Sequence, residues 1–392
     1  MLLLLRNQRG DFLKSWASDV QTCGANPDWL KILDQSLRDT SEYHPDLHQI
    51  VDSLRTGDNL TVDQGLTLWN FPDLNIIGQL AYLAKQARFG DEVYFNSNLH
   101  VNQTNICTLA CKFCAFRRGK RAKDAYALSV EEYLARIDPY QNRIDEVHTV
   151  GGLHPEWDVE YYEKLFSCSK EKFPHIHIKS LSAVEVKHIA EMSGLSTRAL
   201  LKRLQNAGLD SLPGGGAELF HPEIREKIAR GKCSGQEWLD TMEQAHNLGI
   251  KSNATMLYGH IEKPEHIVDH LLKIRNLQKK TGGFLTFIPL KFSLENTELE
   301  QKNMLNQECS SIYDLKMIAL SRLILSGYLN NISVYWVADG KKLAQIALSH
   351  GGNDLVGTAF SEEVYRAAGK PTDSSLSDLV QLVKEIKRRP IQ

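Results

Sequence analysis

No apolar run in these 392 residues is long enough to cross a bilayer. The leucine stretch of "MLLLLR" stops at Arg6, too soon even for the core of a secretion signal. Excess charge is also missing: 46 Lys and Arg against 48 Asp and Glu leave a net −2, with no global pull toward nucleic acid or an anionic membrane. Nor is there a disulfide framework. The seven cysteines are an odd set, and Cys23, Cys168, Cys233 and Cys309 are scattered, which fits a reducing cytoplasm and buried small hydrophobes rather than a secreted scaffold. Internal repeats, low-complexity tracts and long Gly/Pro/Ser linkers are absent, so the regions below are expected to pack as one body.

Residues 1–92 read as helices, because "WLKILDQSL", "DLHQIVDSL" and "LNIIGQLAYLAKQAR" repeat apolar residues at three-and-four spacing. They form an expected N-terminal helical cap. From 93 to about 370 the texture changes to β-prone runs alternating with amphipathic helices: "VYFNSNLHV", "DEVHTV", "HIHIKSL", "LDSLP", "NATMLYG", "FLTFIPL", "ISVYWV" and "LVGTAF". Helices are predicted over 129–137, 158–173, 234–248, 264–280 and 312–326, the first opened by a Ser129/Glu132 capping box. Strict alternation implies a parallel sheet with crossover helices, and eight units imply an α/β fold of the (β/α)8 type, with an open doubly wound sheet as the runner-up. A helical tail is expected over 371–392.

The unusual residues fall at the carboxyl ends of these strands. "CTLACKFC" (107–114) follows the first, "GGLHP" the second, "SAVE" the third, "PGGGAE" the fourth, "YGHIE" the fifth, and "IPL" ends the sixth. Barrel enzymes place their chemistry on that rim. Gly151 and Gly152 are a strand-exit turn or a bare backbone for a ligand's amino group. Ser182 and Glu185 are a helix-start pair or ribose partners. "PGGG" lacks the Lys-Ser/Thr of a phosphate loop and reads as a rim loop held close to ligand, running on to Glu218. Tyr258 and His260 follow the fifth strand; His260 is a catalytic candidate or a satisfied rim histidine. The basic run "RRGKRAK" (117–123) reads as a solvated loop before a nucleic-acid patch.

Cys107, Cys111 and Cys114 stand at C-x3-C-x2-C, and the next cysteine is Cys168. Thiolates favour zinc or iron–sulfur clusters. A cubane has four irons; three cysteines hold three of them and leave one open to a ligand. The bland alternative is structural zinc completed by His100 or His148.

This spacing, with Phe113 before the last cysteine, is similar to the signature of the radical S-adenosylmethionine superfamily. Longer phrases, "NQTNIC…CKFCAF", "EVHTVGGLHP", "AGLDSLPGGGAELF", "SNATMLYGHIE", "HIVDHLLKIRNLQ" and "DLKMIALSRL", resemble the aminofutalosine synthases of the futalosine menaquinone pathway. Two places depart from that pattern, Arg117-Arg118 after "CAF" and "KFSLENT" (291–297) after "FIPL". The resemblance implies a [4Fe–4S] cluster on Cys107, Cys111 and Cys114. It implies S-adenosylmethionine held by Phe113, Gly151, Gly152, Ser182 and Glu185, and consumed as adenosyl donor. The implied acceptor is an aromatic enolpyruvyl carboxylate, 3-[(1-carboxyvinyl)oxy]benzoate, whose double bond takes the 5′-deoxyadenosyl radical. His260, Glu218, Tyr258, Arg275 and Arg322 are the candidates for contact with it, the two arginines because carboxylates favour guanidinium partners. An electron donor such as flavodoxin or ferredoxin is implied, and neither nucleic acid nor membrane. The later cyclase of the same pathway and the deazaflavin cofactor synthases share the cysteines, and remain alternatives beside a zinc or iron–sulfur module that binds RNA.

Overall fold

The computed structural model describes residues 25–372 and 374–392, so the leucine run and Cys23 lie outside the described residues. Among the described residues no helix is long and apolar enough to cross a membrane.

The N-terminal part is helical, with helices Trp29–Ser36, His48–Thr56, Val62–Asn70 and Leu74–Phe89. Local sequence starts and stops them: Thr61 and Gln64 close a reciprocal capping box, Asp73 caps Asn75, and Gly57 ends its helix in the left-handed region. Leu74–Phe89 buries Ile77, Leu80, Ala81 and Ala84 against the helix Ser311–Leu325. Each fully buried Leu or Ile there contributes about 1.5–3 kcal/mol. Gly65 lets Val62–Asn70 approach Val268 and Ile324, where a Cβ would lie 3.0 and 3.2 Å away. These helices therefore clad the flank of the barrel.

Seven parallel strands run in sequence order: β2 (Asn98–His100), β3 (Glu146–Thr149), β4 (His177–Ser180), β5 (Ser211–Leu212), β6 (Lys251–Tyr258), β7 (Phe284–Lys291) and β8 (Asn331–Ile332). Residues 354–360, the eighth expected strand, join the two edges by single parallel bridges, Ser333 to Asp354 and Leu99 to Phe360. The His100 amide donates to Phe360 O at 2.8 Å and the Val334 amide to Asp354 O at 2.8 Å. The sheet thus curls into a ring, but the expected strand "ISVYWV" (332–337) is strand only at its start and turns into a short helix at Trp336–Asp339.

Two further expectations change. "VYFNSNLHV" is two strands: β1 (Glu92–Asn96) lies in a second, three-stranded parallel sheet between Arg389–Ile391 (β10) and Asp354–Gly357 (β9), and only β2 belongs to the ring. The chain steps between sheets at Ser97, whose carbonyl accepts the Asp145 amide at 2.8 Å. The tail is not helical throughout: after the helix Leu376–Glu385 it ends in β10 (Arg389–Ile391), parallel to β1.

Crossover helices begin where the sequence caps them. Ser129 with Glu132, Ser182 with Glu185 and Ser234 with Glu237 all form two-way capping boxes. The ring interior is polar on the β2–β4 side. His100 and His148 stack at 4.5 Å and 7°, and Lys179 pairs with Glu146 at 2.6 Å. Burial holds His100 down at about 3 and His148 well below the ordinary histidine value, so both rings are neutral.

Candidate active site

The segment after β2 carries the three cysteines and is fastened by backbone hydrogen bonds to several other elements. Cys107 N donates to Arg118 O at 3.0 Å and Arg118 N to Asn105 O at 2.6 Å, which folds the loop back on itself. Thr108 N reaches Leu153 O (3.1 Å) beyond β3, Lys112 N reaches Ile228 O (2.8 Å) beyond β5, and Lys112 O accepts from Leu299 N (3.2 Å) beyond β7. Three separate strand exits fix the loop.

Gly152 is where the loop crosses the end of β3. Its amide donates to Thr104 O at 2.9 Å, and a Cβ there would lie 2.1 Å from Ile106 O and 3.0 Å from the Cys107 Cβ. Any side chain would push the first cysteine away. Gly214 has the same kind of role one layer on: at φ +82° it lies against β6, a Cβ falling 2.2 Å from Asn253 O. "PGGG" thus packs as a rim loop against the neighbouring strand.

All three thiols are free, Cys111 buried and Cys107 and Cys114 half-buried. They lie within electrostatic reach of one another. Burial pushes the Cys111 thiol up to about 11, with Lys232 pulling the other way, and raises Cys114 as well. Thiols so placed ionise only beside positive charge, which is the condition a metal cluster meets. Among the described residues no three or more His, Cys, Asp or Glu converge on a single-ion position. Three thiolates on three corners of a cubane need not converge, whereas one zinc requires it. His100 and His148 stack on each other in the ring interior. The donor set therefore fits the cubane better than zinc.

Lys232, which carries no sequence signal of its own, completes this corner. Its ammonium lies 2.5 Å from Glu218 and 5.3 Å from the centroid of Phe113. Burial works against its charge, yet the Glu218 carboxylate, with Cys111 behind it, carries its pKa above the usual lysine value. Glu218 is held at φ +46°, an uncommon conformation for a residue with a side chain.

Glu185 is occupied by the protein itself. One carboxylate oxygen accepts from Gly151 N (3.0 Å) and Gln103 Nε2 (3.1 Å), the other from Ser182 N and Ser182 Oγ (both 2.7 Å). The residue is 2% exposed. Four donors thus meet its two oxygens: the helix-start reading of Ser182 and Glu185 is what the structure shows, and the same carboxylate fixes Gly151. Burial raises its pKa in spite of those donors.

The other predicted residues are held by partners within the protein. Tyr258 is buried and its phenol donates to Asp314 Oδ1 at 3.0 Å, behind the rim on the helix Ser311–Leu325. His260 has a fully buried ring, Nδ1 3.0 Å from Glu262 and Nε2 3.2 Å from Leu257 O, and burial lowers its pKa. It is a satisfied rim histidine, not a free base. Arg275 donates to Leu60 O (2.9 Å) and Ile324 O (3.3 Å), tying the barrel to the N-terminal helices. Arg322 is fully buried and donates to Gly351 O (2.8 Å) and Asn353 Oδ1 (2.6 Å). Neither guanidinium faces the rim, and both are corrected to structural roles. Cys168, Cys233 and Cys309 are half-buried against the core, not fully buried; Cys309 lies 3.2 Å from Asp314.

The fold and this three-cysteine corner define an enzyme of the radical S-adenosylmethionine superfamily, whose members use a [4Fe–4S] cluster and consume S-adenosylmethionine; residues 101–274 match the Radical SAM superfamily. Residues 281–391 match the CofH/MqnC C-terminal region. An aminodeoxyfutalosine synthase of Thermus thermophilus is 38% identical over 351 residues, 89% of this chain and 94% of the relative. One of Streptomyces coelicolor is 36% identical over 355 residues, 88% and 91%. The chain belongs to the aminodeoxyfutalosine synthase family. A 5-amino-6-(D-ribitylamino)uracil–L-tyrosine 4-hydroxyphenyl transferase of Methanosarcina mazei is 39% identical over a shorter 308 residues, 77% of this chain and 79% of the relative. The crystal structure of a methylornithine synthase shares the fold, at TM-score 0.68 and 18% identity over 88% of this chain and 97% of its own.

Proposed function

We propose that the chain catalyses aminodeoxyfutalosine synthesis in menaquinone formation, joining the 5′-deoxyadenosyl group of S-adenosylmethionine to the enolpyruvyl double bond of an aromatic carboxylate. The observation that carries this reading is the free, mutually adjacent trio Cys107, Cys111 and Cys114 in a chain 38% identical to such a synthase over 94% of its length. In it the three cysteines hold a [4Fe–4S] cluster, which when bound supplies the electron that cleaves S-adenosylmethionine.

The remaining work belongs to the chain. The exit of β3 at Gly151 and Gly152, packed against Gln103, Ile106 and Cys107 and fixed by Glu185, is where the methionine part of S-adenosylmethionine would lie. Phe113 offers an apolar face and Lys232 the nearest fixed cation. The ring encloses the reacting carbons, so that radical carbon and alkene meet in near-attack geometry and water is kept out. The radical adds to the vinyl CH2; rearrangement onto the aromatic ring and loss of the carboxyvinyl carboxylate as carbon dioxide leave one electron in excess, which would return to the oxidised cluster held by Cys107, Cys111 and Cys114 as the closed-shell product forms. The electron comes from a small carrier protein such as flavodoxin or ferredoxin, in a reducing cytoplasm.

The transferase of Methanosarcina mazei, at 39% identity, favours a second reading in the deazaflavin direction. Addition and hydrogen abstraction are told apart by isotope. S-adenosylmethionine carrying carbon-13 in its ribose should deliver the label to an adduct, with free methionine and little 5′-deoxyadenosine. Stoichiometric 5′-deoxyadenosine from the enolpyruvyl benzoate, or turnover only with tyrosine and the ribitylaminouracil, would reject the synthase reading.

A further inference from the structure

The loop of residues 117–123 puts Arg117, Arg118, Lys120, Arg121 and Lys123 into seven positions of a chain whose net charge is −2. It begins three residues after Cys114, and its Arg118 carbonyl accepts the Cys107 amide at 3.0 Å. The patch is therefore one backbone hydrogen bond from a proposed cluster ligand. Two of its cations are neutralised, Arg118 by Asp124 at 2.6 Å and Lys120 by Glu156. Arg121 and Lys123 are exposed and form no ion pair among the described residues. The Lys120–Glu156 pair joins the loop to a second surface element, in which Trp157 stacks on His154 at 4.3 Å and on Tyr161 at 3.8 Å. That element is tied to the cysteine loop through Leu153 and Thr108. Arg121 and Lys123 thus leave an exposed positive face on the loop, while the segment around Trp157 is acidic through Glu156, Asp158 and Glu160, so the loop's cations supply the charged part of a transient protein interface and Trp157 an aromatic at its edge.

We propose that residues 117–123, with Trp157 at their edge, form the docking surface for an acidic one-electron carrier protein. One electron leaves the carrier's reduced flavin or iron–sulfur centre and enters the cluster at Cys107, Cys111 and Cys114; the carrier is oxidised by one electron and the cluster reduced by one. Charge complementarity steers the encounter, so the surface governs how fast the electron arrives and not what it does afterwards. This rests on the assignment of the three cysteines as cluster ligands.

The test uses the full chain, reconstituted anaerobically, and the charge-reversed Arg121→Glu/Lys123→Glu variant, with the milder Arg121→Gln/Lys123→Gln variant beside it. Cluster reduction is followed optically with reduced flavodoxin and, separately, with dithionite. The flavodoxin rate should fall at least about tenfold in the Glu variant at about 50 mM salt and less in the Gln variant, and most of its salt dependence should vanish. The dithionite rate and the iron content should stay at wild-type levels. A flavodoxin rate equal to wild type overturns the proposal, as does an equal loss with both reductants. Salt-sensitive RNA binding by the loop with flavodoxin reduction untouched overturns it as well. A wild-type chain that takes up no iron rejects the cysteine assignment instead, a different result from any of these.

Discussion

Two kinds of largely buried cation can be set side by side among the described residues. In the helix layer, Arg275 and Arg322 spend their guanidinium donors mainly on main-chain carbonyls of neighbouring segments. By contrast Lys232, in the turn before the helix Gly235–Asn247, and Lys291, at the end of β7, pair with single carboxylates, Glu218 at 2.5 Å and Asp314 at 2.7 Å. A guanidinium locked onto carbonyls is a structural bolt: its partners cannot leave, and it has little capacity for a ligand. An ammonium beside one carboxylate keeps donors that can turn to a newcomer. Residue type alone suggested the opposite, that arginine would greet the substrate.

The largest effect that would break this contrast is at the rim itself. Cys107→Ala, Cys111→Ala or Cys114→Ala should each abolish iron uptake of about four per chain and all turnover, while Cys168→Ala leaves both. Iron and sulfide analysis beside product formation checks this, and a tightly bound zinc without iron would contradict it. Next, Lys232→Met strands the buried Glu218 carboxylate and should cost about 3–5 kcal/mol in denaturant unfolding. Adding Glu218→Gln should recover most of that loss; if the double variant is no better, the pair is not the unit described.

Arg322→Met leaves the Gly351 and Asn330 carbonyls without their donor and should cost about 3 kcal/mol. Iron content and S-adenosylmethionine affinity should be unchanged; a selective loss of substrate binding would return Arg322 to the site. The smallest effect sharpens the boundary between the two layers. Asp339 is packed near both Lys291 and Asp314, and burial, with Asp314 adding to it, pushes its pKa up to about 7. Between the unfolded value near 4 and about 7 the folded state holds a proton that the unfolded chain has lost. Stability from this group is thus complete at low pH and falls as pH rises through that window. Asp339→Asn should therefore gain on the order of 1–2 kcal/mol at pH 8 and almost nothing at pH 4. Equal effects at both would show that Asp339 does not titrate there.

Much of the ring was readable from local pattern. Six of the expected strand runs supply strands of the ring largely as read, "ISVYWV" only at its start, the eighth joins it only by single bridges, and the capping boxes at Ser129 and Ser182 start helices where Ser-x-x-Glu stands. The break inside "VYFNSNLHV" was not readable, because both halves favour extended backbone and only pairing with β3 on one side and β10 on the other separates them. Lys232 and Gln103 escaped notice for a related reason: neither stands in a spaced motif, and each matters through a partner more than a dozen residues away, Glu218 and Glu185.

Sequence by itself determined the alternation of strands and helices, the trio of cysteines, and the resemblance that names the chemistry, because period, capping and spacing are local properties of the chain. Tertiary structure alone decided which charged groups are open to a ligand. Glu185 could be read as a helix-start residue or a ribose partner, and folding sets four donors on it; Arg275, Arg322 and His260 were candidates for substrate contact, and folding gives each of them partners within the protein. Whether a polar group has spare capacity depends on every neighbour that folding brings to it from distant parts of the chain, and no local pattern records that sum.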